Sequence, residues 1–483
     1  MKFLNKIIEW GIYLFVFLLP WQTRLILKEG DLNGYWEYGT ASVYGTEILL
    51  YFLFLLAIAS LVIDKLQIQN YKSQINYKFK ITKIATVAIF FLVFALLSIF
   101  WADSKSVALM AGLRLVEGVG IFLILQIFNF DWKKISRAFV LSALVQAGLG
   151  IYQFLTQTAF ASKWLGMALH DPATLGTIVV EASGGRWLRA YGSLPHPNML
   201  GAFLAIGMFL IIILYQKSLA SHRKIILVSI FSILTFGLFT TFSKSAILAF
   251  IIVLLFFLVG SFILEAGKKN KCELEKNKIL FFDLAEKLKF CFRYFKKGSR
   301  QARTISNPTA QGQKIVLLKF TFLFIFIATI FSIIFWEPVA TRVRGIGRLE
   351  AKSTNERISY FGESWQLIKN HPFLGVGLGN YTLALHNEIN SNLNSWEYQP
   401  AHNIYLLVLA ELGIFGFLIF TLFLLYFLLP LQKNISWYNL FDLRDTVFFL
   451  ILLVGLFDHY LWTLYFGIIL FWVCFNFICN KDI

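Results

Sequence analysis

The chain has 483 residues, of which 58% are hydrophobic and only 15% are charged. A soluble domain is about half apolar and about a quarter charged, so this composition excludes an ordinary soluble enzyme. The net charge of +17 does not indicate nucleic-acid binding, because the basic residues lie in segments between apolar runs and no nucleic-acid-binding motif accompanies them.

Twelve apolar runs are long enough to cross a hydrocarbon layer of ~30 Å. The sequence therefore predicts an all-α, polytopic membrane protein with about twelve transmembrane helices. The predicted spans are residues 7–19, 48–63, 84–100, 107–128, 138–155, 199–215, 225–239, 246–264, 315–336, 404–429, 437–457 and 461–478. No internal repeat or soluble domain is evident, so residues 1–483 are expected to form one integral membrane domain.

The orientation follows from the Lys and Arg residues between the spans. With the N-terminus in the cytoplasm, the inside segments carry most of these residues, as the positive-inside rule requires. We expect a protein of the cytoplasmic membrane with both termini inside. Segment 265–319 is then a basic cytoplasmic loop, either solvated or holding an amphipathic helix on membrane lipids. Segments 157–198 and 337–403 are outer loops, where binding groups are expected.

The first outer loop and the turn after the seventh span carry several polar candidates. Arg186 and Arg189 lie beside aromatic residues, which suits either phosphate or sugar binding or anchoring at the membrane interface. His196 follows between two prolines. Lys244 lies in the short turn at the outer membrane boundary, where a lone lysine ordinarily snorkels to water.

The second outer loop has a helix-start signature. Ser353 and Glu356 have the spacing of a capping box, and apolar residues at helical spacing follow, so we predict a short interfacial helix over 355–369. Arg357 would lie in its first turn, where a cation is unfavourable for the helix dipole, which favours a functional role. His371 precedes a proline and would end the helix.

Two further features close this loop. The glycines of 375–379 do not have dinucleotide-binding spacing, and they predict either a tight re-entry turn or an anion-binding backbone. His402 and Asn403 open the tenth span at the outer interface. His402 is a candidate acid or base near neutral pH, with a hydrogen-bonded anchor as the alternative. No metal-ligand spacing or nucleotide loop is present, so no cofactor is expected.

Four segments in this order resemble the O-antigen ligase and polymerase family of bacterial envelope glycosyltransferases. They are Arg189-Ala-Tyr-Gly192-Ser-x-x-His196-Pro197-Asn198, Thr241-Phe-Ser-Lys244-Ser, Arg357 through Trp365 to His371-Pro-Phe-Leu-Gly375-x-Gly377-x-Gly379-Asn-Tyr381, and His402-Asn403-x-x-Leu406 with Glu411 and Gly413. The resemblance implies a fold related to polyprenyl-dependent, multi-helix glycosyltransferases.

The resemblance also implies a metal-independent reaction. A glycan on undecaprenyl diphosphate passes to a hydroxyl of a glycan, lipid or protein acceptor at the outer face of the membrane. His402 matches the family's catalytic histidine, and Arg357 matches a loop arginine that would clamp the diphosphate. Lys244 stands where the family usually has arginine, so Arg189 is expected to supply the missing guanidinium.

Other functions remain open on sequence grounds. Ligase and polymerase differ in their acceptor, and the large outer loop favours a ligase. A membrane transporter of polysaccharide or small solutes is the alternative from another class. It predicts repeats and polar residues at mid-membrane, and neither is evident in the sequence.

Overall fold

The computed structural model of the protein describes residues 2–70, 83–182, 185–280, 310–345, 347–428 and 442–479. In chain order the helices are α1 (Lys2–Leu18), α2 (Gly45–Asn70), α3 (Lys83–Leu97), α4 (Lys105–Ile127), α5 (Trp132–Thr156), α6 (Pro197–Lys217), α7 (Ser221–Thr240), α8 (Lys244–Leu280), α9 (Ala310–Ile334), α10 (Trp336–Arg344), α11 (Arg348–Asn370), α12 (Tyr381–Ala384), α13 (Ile404–Leu428), α14 (Asp445–Gly455), α15 (Tyr460–Thr463) and α16 (Tyr465–Cys479). Within these ranges nine helices, α2 to α9 and α13, are long and apolar enough to cross a membrane. The all-α, multi-pass membrane fold is confirmed.

Three of the predicted spans coincide with shorter helices. Helices α1, α14 and α16 have 17, 11 and 15 residues, less than the ~20 of a typical crossing, so the count of twelve stays a prediction. The predicted loop 265–319 is helical at both ends, because α8 continues to Leu280 and α9 begins at Ala310. The amphipathic helix expected within that loop lies outside the described residues.

Helix α6 is the centre of the bundle, and all its residues from Pro197 to Tyr215 are buried. Each helix satisfies its own backbone polar groups, which lipid cannot do. Small residues then let the helices approach closely. A Cβ on Gly207 would lie 3.0 Å from the Cβ of Ala143 on α5, so the backbones pack almost in contact there.

Two short hairpins were not expected from the sequence. Strand β1 (Arg24–Lys28) pairs with β2 (Ala41–Tyr44), and β3 (Val179–Ala182) pairs with β4 (Gly185–Leu188), both antiparallel. Strands of four or five residues leave little periodicity to detect. Both hairpins lie in connections at the same end of the bundle.

The helix predicted over 355–369 begins earlier, at Arg348, so the predicted capping box is wrong. Ser353 lies inside α11, and Arg357 lies in its third turn rather than its first. The start of the helix is satisfied from outside. A carboxylate oxygen of Glu181 on β3 accepts a hydrogen bond from the backbone N–H of Leu349 at 3.3 Å, and the other binds Arg348 at 3.2 Å.

The glycines after α11 form a tight re-entry turn, the first of the two expected alternatives. Gly375, Gly377 and Gly379 all have positive φ. The four N–H groups of residues 375–378 donate to protein acceptors, among them the carbonyl oxygen of Glu411 on α13 at 2.8 Å from Gly377 N. An anion would have to displace these bonds. The kink of α13 at Gly413 accommodates the turn.

Several charged side chains inside the bundle have partners within the protein. Arg114 Nη1 lies 3.4 Å from Glu117 Oε2 on the same face of α4, as their spacing predicts, and Glu47 on α2 joins this cluster. Glu411 accepts a hydrogen bond from Trp462 Nε1 at 2.8 Å and is not paired with His402. These groups are therefore structural partners within the bundle.

The threading makes a topological prediction. Ser391 is exposed in the 337–403 segment, and Leu219 is exposed in the turn between α6 and α7. The predicted threading places these two positions on opposite sides of the membrane. In a cysteine-free background, Ser391→Cys should react with a membrane-impermeant maleimide in intact cells, because the predicted threading places its loop outside. Leu219→Cys should react only after permeabilisation. The reverse pattern would invert the orientation.

Candidate functional site

A large cavity opens at the end of the bundle where the long connections meet. It has a volume of about 940 Å³ and is lined by residues of segments 22–44, 153–199, 352–402 and 458–464. In the predicted threading all four segments lie at the outer end of the bundle, and their meeting in one cavity is consistent with that threading. Two of the predicted site residues, His402 and His196, line the cavity.

The buried carboxylate of Asp458 lies between the ends of three helices. Its Oδ1 accepts a hydrogen bond from Asn198 Nδ2 at 3.0 Å, and its Oδ2 accepts one from Ser245 Oγ at 2.7 Å. The Nδ1 of His402 lies 3.5 Å from Oδ1. Burial raises the pKa of the carboxyl, but the neighbouring imidazole, hydroxyl and amide lower it to about 2. The group is therefore a carboxylate at neutral pH.

The imidazole of His402 has one nitrogen directed to this carboxylate. Its Nδ1 is buried and has no hydrogen-bond partner at normal distance, so Asp458 is the anion that favours a proton there. The ring lies nearly parallel to that of Tyr360, with centroids 5.9 Å apart, and edge-on to His459 at 5.0 Å. A proton on Nδ1 leaves Nε2 with a lone pair, which is the tautomer that a general base requires.

Two of the other histidines that line the cavity, His196 and His459, are uncharged at neutral pH. The Nδ1 of His196 accepts a hydrogen bond from the backbone of Asn198 at 3.0 Å, so its proton is on Nε2. Burial and the nearby Arg189 lower the pKa of His196 to about 3. Burial also holds the pKa of His459 well below its ordinary value. Both rings therefore contribute hydrogen bonds rather than charge.

Arg189 is buried against protein partners and does not line the cavity. It donates from Nε to the carbonyl oxygen of Thr241 and from Nη2 to Oδ1 of Asn198, both at 2.7 Å. Burial lowers its pKa to about 9, so it is still a cation at neutral pH. Since Asn198 in turn donates to Asp458, this geometry supports a positioning role rather than the expected contact with diphosphate.

Lys244 is likewise engaged by protein. Its Nζ lies 2.8 Å from Oε2 of Glu350 on α11, and Arg342 pairs with the other oxygen of that carboxylate. Burial raises the pKa of Glu350, but the two cations outweigh it and the pKa is lowered. Arg342 also donates to the carbonyl oxygen of Phe242 at 3.1 Å. The network fixes α10 and α11 to the turn before α8.

The remaining predicted residues do not line the cavity that the described part of the chain forms. They are Arg357, Asn403, His371 and Arg186. Arg357 is exposed on α11. Asn403 caps α13, since its Oδ1 accepts from two backbone N–H groups at 2.9 and 3.1 Å. His371 Nε2 lies 2.8 Å from Glu388. Arg186 makes one long contact of 3.5 Å with a carbonyl oxygen.

The charges lining the cavity differ from those of the whole chain. The lining carboxylates are Glu37, Glu356, Glu363, Glu397 and Asp458, and the lining cations are Arg24, Lys163 and Lys352. Arg24 is bound to Glu37 at 2.5 Å. The cavity therefore has more carboxylates than cations, although the chain carries a net charge of +17.

Asp458 and His459 were missed by the sequence analysis. They lie in the short turn between the last two predicted spans, 437–457 and 461–478. An acidic residue beside a histidine between two apolar runs is costly unless it is paired, and that cost was the available signal. The identity of the partners depends on the fold, so the sequence alone could not supply it.

The protein is thus a multi-pass membrane protein with a polar cavity built on a histidine–aspartate pair. Residues 290–421 match the family model described as O-antigen ligase. The match includes α11, the re-entry turn, His402 and most of α13. No curated protein matches the chain. The resemblance found in the sequence is confirmed over residues 290–421, the region that carries His402.

The role of Arg189 can be tested by stability. Arg189→Lys cannot reach both of its acceptors, so it leaves a buried acceptor unpaired and should cost roughly 1–3 kcal/mol of unfolding free energy. Arg186→Lys, at a half-exposed site on β4, should change it by less than about 0.5 kcal/mol. Thermal unfolding of both purified variants in detergent measures the difference. Equal unfolding temperatures would contradict the positioning role.

Proposed function

We propose that the protein moves a glycan from undecaprenyl diphosphate to an acceptor hydroxyl in this cavity, on the outer face of the cytoplasmic membrane. The family match supports ligase or polymerase chemistry on lipid-linked glycans. The observation that carries the assignment is His402, which lines a cavity of about 940 Å³ beside the buried carboxylate of Asp458. We propose the ligase activity, with a glycan, lipid or protein as acceptor.

In the proposed reaction His402 is the general base. The acceptor hydroxyl donates a hydrogen bond to Nε2, and its proton moves there as its oxygen attacks the anomeric carbon of the donor sugar. The bond between that carbon and the diphosphate oxygen breaks in the same step, and the diphosphate leaves with the electron pair. The carboxylate of Asp458 stabilises the imidazolium that forms. The product diphosphate or water takes the proton from Nε2.

The leaving diphosphate needs positive charge. Lys163 and Lys352 line the cavity, and we infer that they contact the diphosphate once it is bound. Arg357 is exposed on α11 five residues after Lys352, and we propose that it reaches the diphosphate from the lipid edge. Lys244 and Arg189 act indirectly, because each is held by other residues of the chain.

One wall of the cavity has the residue types that bind sugars. Trp396 and Tyr38 line the cavity beside the carboxylates of Glu363 and Glu397. Aromatic rings pack on the apolar faces of sugars, and carboxylates accept hydrogen bonds from sugar hydroxyls. We infer that the sugar units next to the reacting bond occupy this wall.

The assignment of His402 makes a direct prediction. His402→Ala and His402→Gln should each lower transfer from purified lipid-linked donor by about 10²–10⁴-fold, because a positioned base is lost. His222→Ala, at an exposed histidine in the first turn of α7 that does not line the cavity, is the matched control and should retain transfer. Near-normal transfer by either His402 variant, at equal expression, would remove His402 from the mechanism.

Asp458→Asn tests the partner of the base. The amide can replace some hydrogen bonds but not the charge, so transfer should fall by about tenfold to a hundredfold, the equivalent of a charged hydrogen bond. Glu388→Gln is the control, since it alters the other histidine–carboxylate pair, at His371. Its transfer rate should be unchanged. If Asp458→Asn retains full transfer with an unaltered pH profile, the carboxylate does not assist His402.

A further inference from the structure

Helix α11 has two faces of opposite character. Ile358, Phe361 and Trp365 are exposed to 68, 59 and 53% and form one stripe along the helix. The residues that line the cavity come from the other side of the same helix; they are Lys352, Glu356, Ser359, Tyr360 and Glu363. At 3.6 residues per turn the two sets are about 180° apart. A large apolar stripe on an exposed helix requires an occupant.

The stripe is continuous with the membrane-facing surface of the bundle. Beyond the end of α11 the ring of Phe373, also exposed, stacks on that of Phe415 with centroids 6.1 Å apart. Phe415 lies on α13, which is long and apolar enough to span the membrane, and is itself exposed there. Trp101, at the end of another span, donates from Nε1 to the carbonyl oxygen of Leu374 at 3.0 Å. Lipid that covers α13 therefore also reaches α11.

Cations flank the stripe, as at a lipid headgroup layer. The Nζ of Lys369 lies 5.7 Å from the centroid of the Trp365 ring, and Arg357 is exposed one residue before Ile358. Long basic side chains beside an apolar face place their charges among lipid phosphates while their stems remain with the acyl chains.

We propose that α11 docks in the membrane leaflet on the cavity side, with the Ile358–Phe361–Trp365 stripe among the acyl chains. The occupant is bilayer lipid rather than a second protein, because the stripe runs into the lipid-facing surface of α13. The docked helix forms a wall with lipid on one face and the cavity on the other.

Docking also positions the site, an inference that rests on the proposed function. Tyr360 lies on the cavity face of α11, and its ring is nearly parallel to that of His402. A helix held by lipid on one face keeps Tyr360 against the imidazole on the other. The bilayer thus helps to fix the base, and loss of docking should lower transfer without unfolding the bundle.

Docking can be measured without any glycan. Phe361→Cys and its control Ser359→Cys, two residues away on the cavity face, are labelled with bimane in the cysteine-free full chain and reconstituted in phosphatidylcholine–phosphatidylglycerol vesicles. A lipid with a shallow acyl-chain nitroxide should quench the label at 361 at least threefold more than iodide does, and the label at 359 should show the reverse preference. Quenching at 361 by iodide alone, or by neither agent, would overturn lipid docking.

The coupling to the site is measured separately. A triple variant, Ile358→Asn, Phe361→Asn and Trp365→Asn, should lose transfer in vesicles by about tenfold while its unfolding temperature is unchanged. The control Leu175→Asn removes an apolar side chain that is even more exposed, in the other outer loop, and should retain transfer. Lipid quenching at 361 together with full transfer by the triple variant would refute the coupling but not the docking. Loss of transfer in His402→Ala remains the separate test of the proposed function.

Discussion

The cavity depends on one buried carboxylate. A charge removed from water costs several kcal/mol unless it is paired and hydrogen-bonded, so Asp458 must have partners wherever the chain places it. Those partners are Asn198 at the start of α6, Ser245 at the start of α8 and His402 before α13. A single anion thus brings three helix ends into register, and it also gives the imidazole the tautomer needed for a base.

The need to pair buried charges also explains why Arg189 and Lys244, two predicted phosphate ligands, are bound to protein groups. The loops at this end of the bundle have only small apolar cores of their own, and ion pairs and charged hydrogen bonds join them as well. Arg189 donates hydrogen bonds to both Asn198 and the carbonyl oxygen of Thr241. Glu350 forms ion pairs with both Lys244 and Arg342. These cations support the proposed catalytic pair, Asp458 and His402, at a distance. A motif shared with a family can therefore mark a residue that positions the site without touching the substrate.

The fold could be predicted from the sequence far better than the site. A helix in lipid satisfies its own backbone, so hydropathy located the nine helices of the described residues that are long enough to cross the membrane. The start of α11 was misplaced because Glu181, more than 160 residues away, supplies its cap in place of the local Ser353. The pair of Asp458 and His402 was missed for the same reason: no local spacing joins two residues on either side of α13 and α14. Interactions made between distant segments decide both points.

The charge distribution bears on how an amphiphilic donor would bind. Carboxylates outnumber cations among the residues that line the cavity, so the cavity suits neutral sugar hydroxyls better than a diphosphate. Of the exposed cations of α11, Lys352 lines the cavity and Arg357 flanks the stripe that we infer to meet lipid. If the lipid of the donor lies in the leaflet and its glycan lies in the cavity, the diphosphate between them would lie beside α11. The reacting bond joins the glycan to the diphosphate, so a base is needed where the lipid edge and the cavity meet, and the proposed base, His402, lies there beside Tyr360.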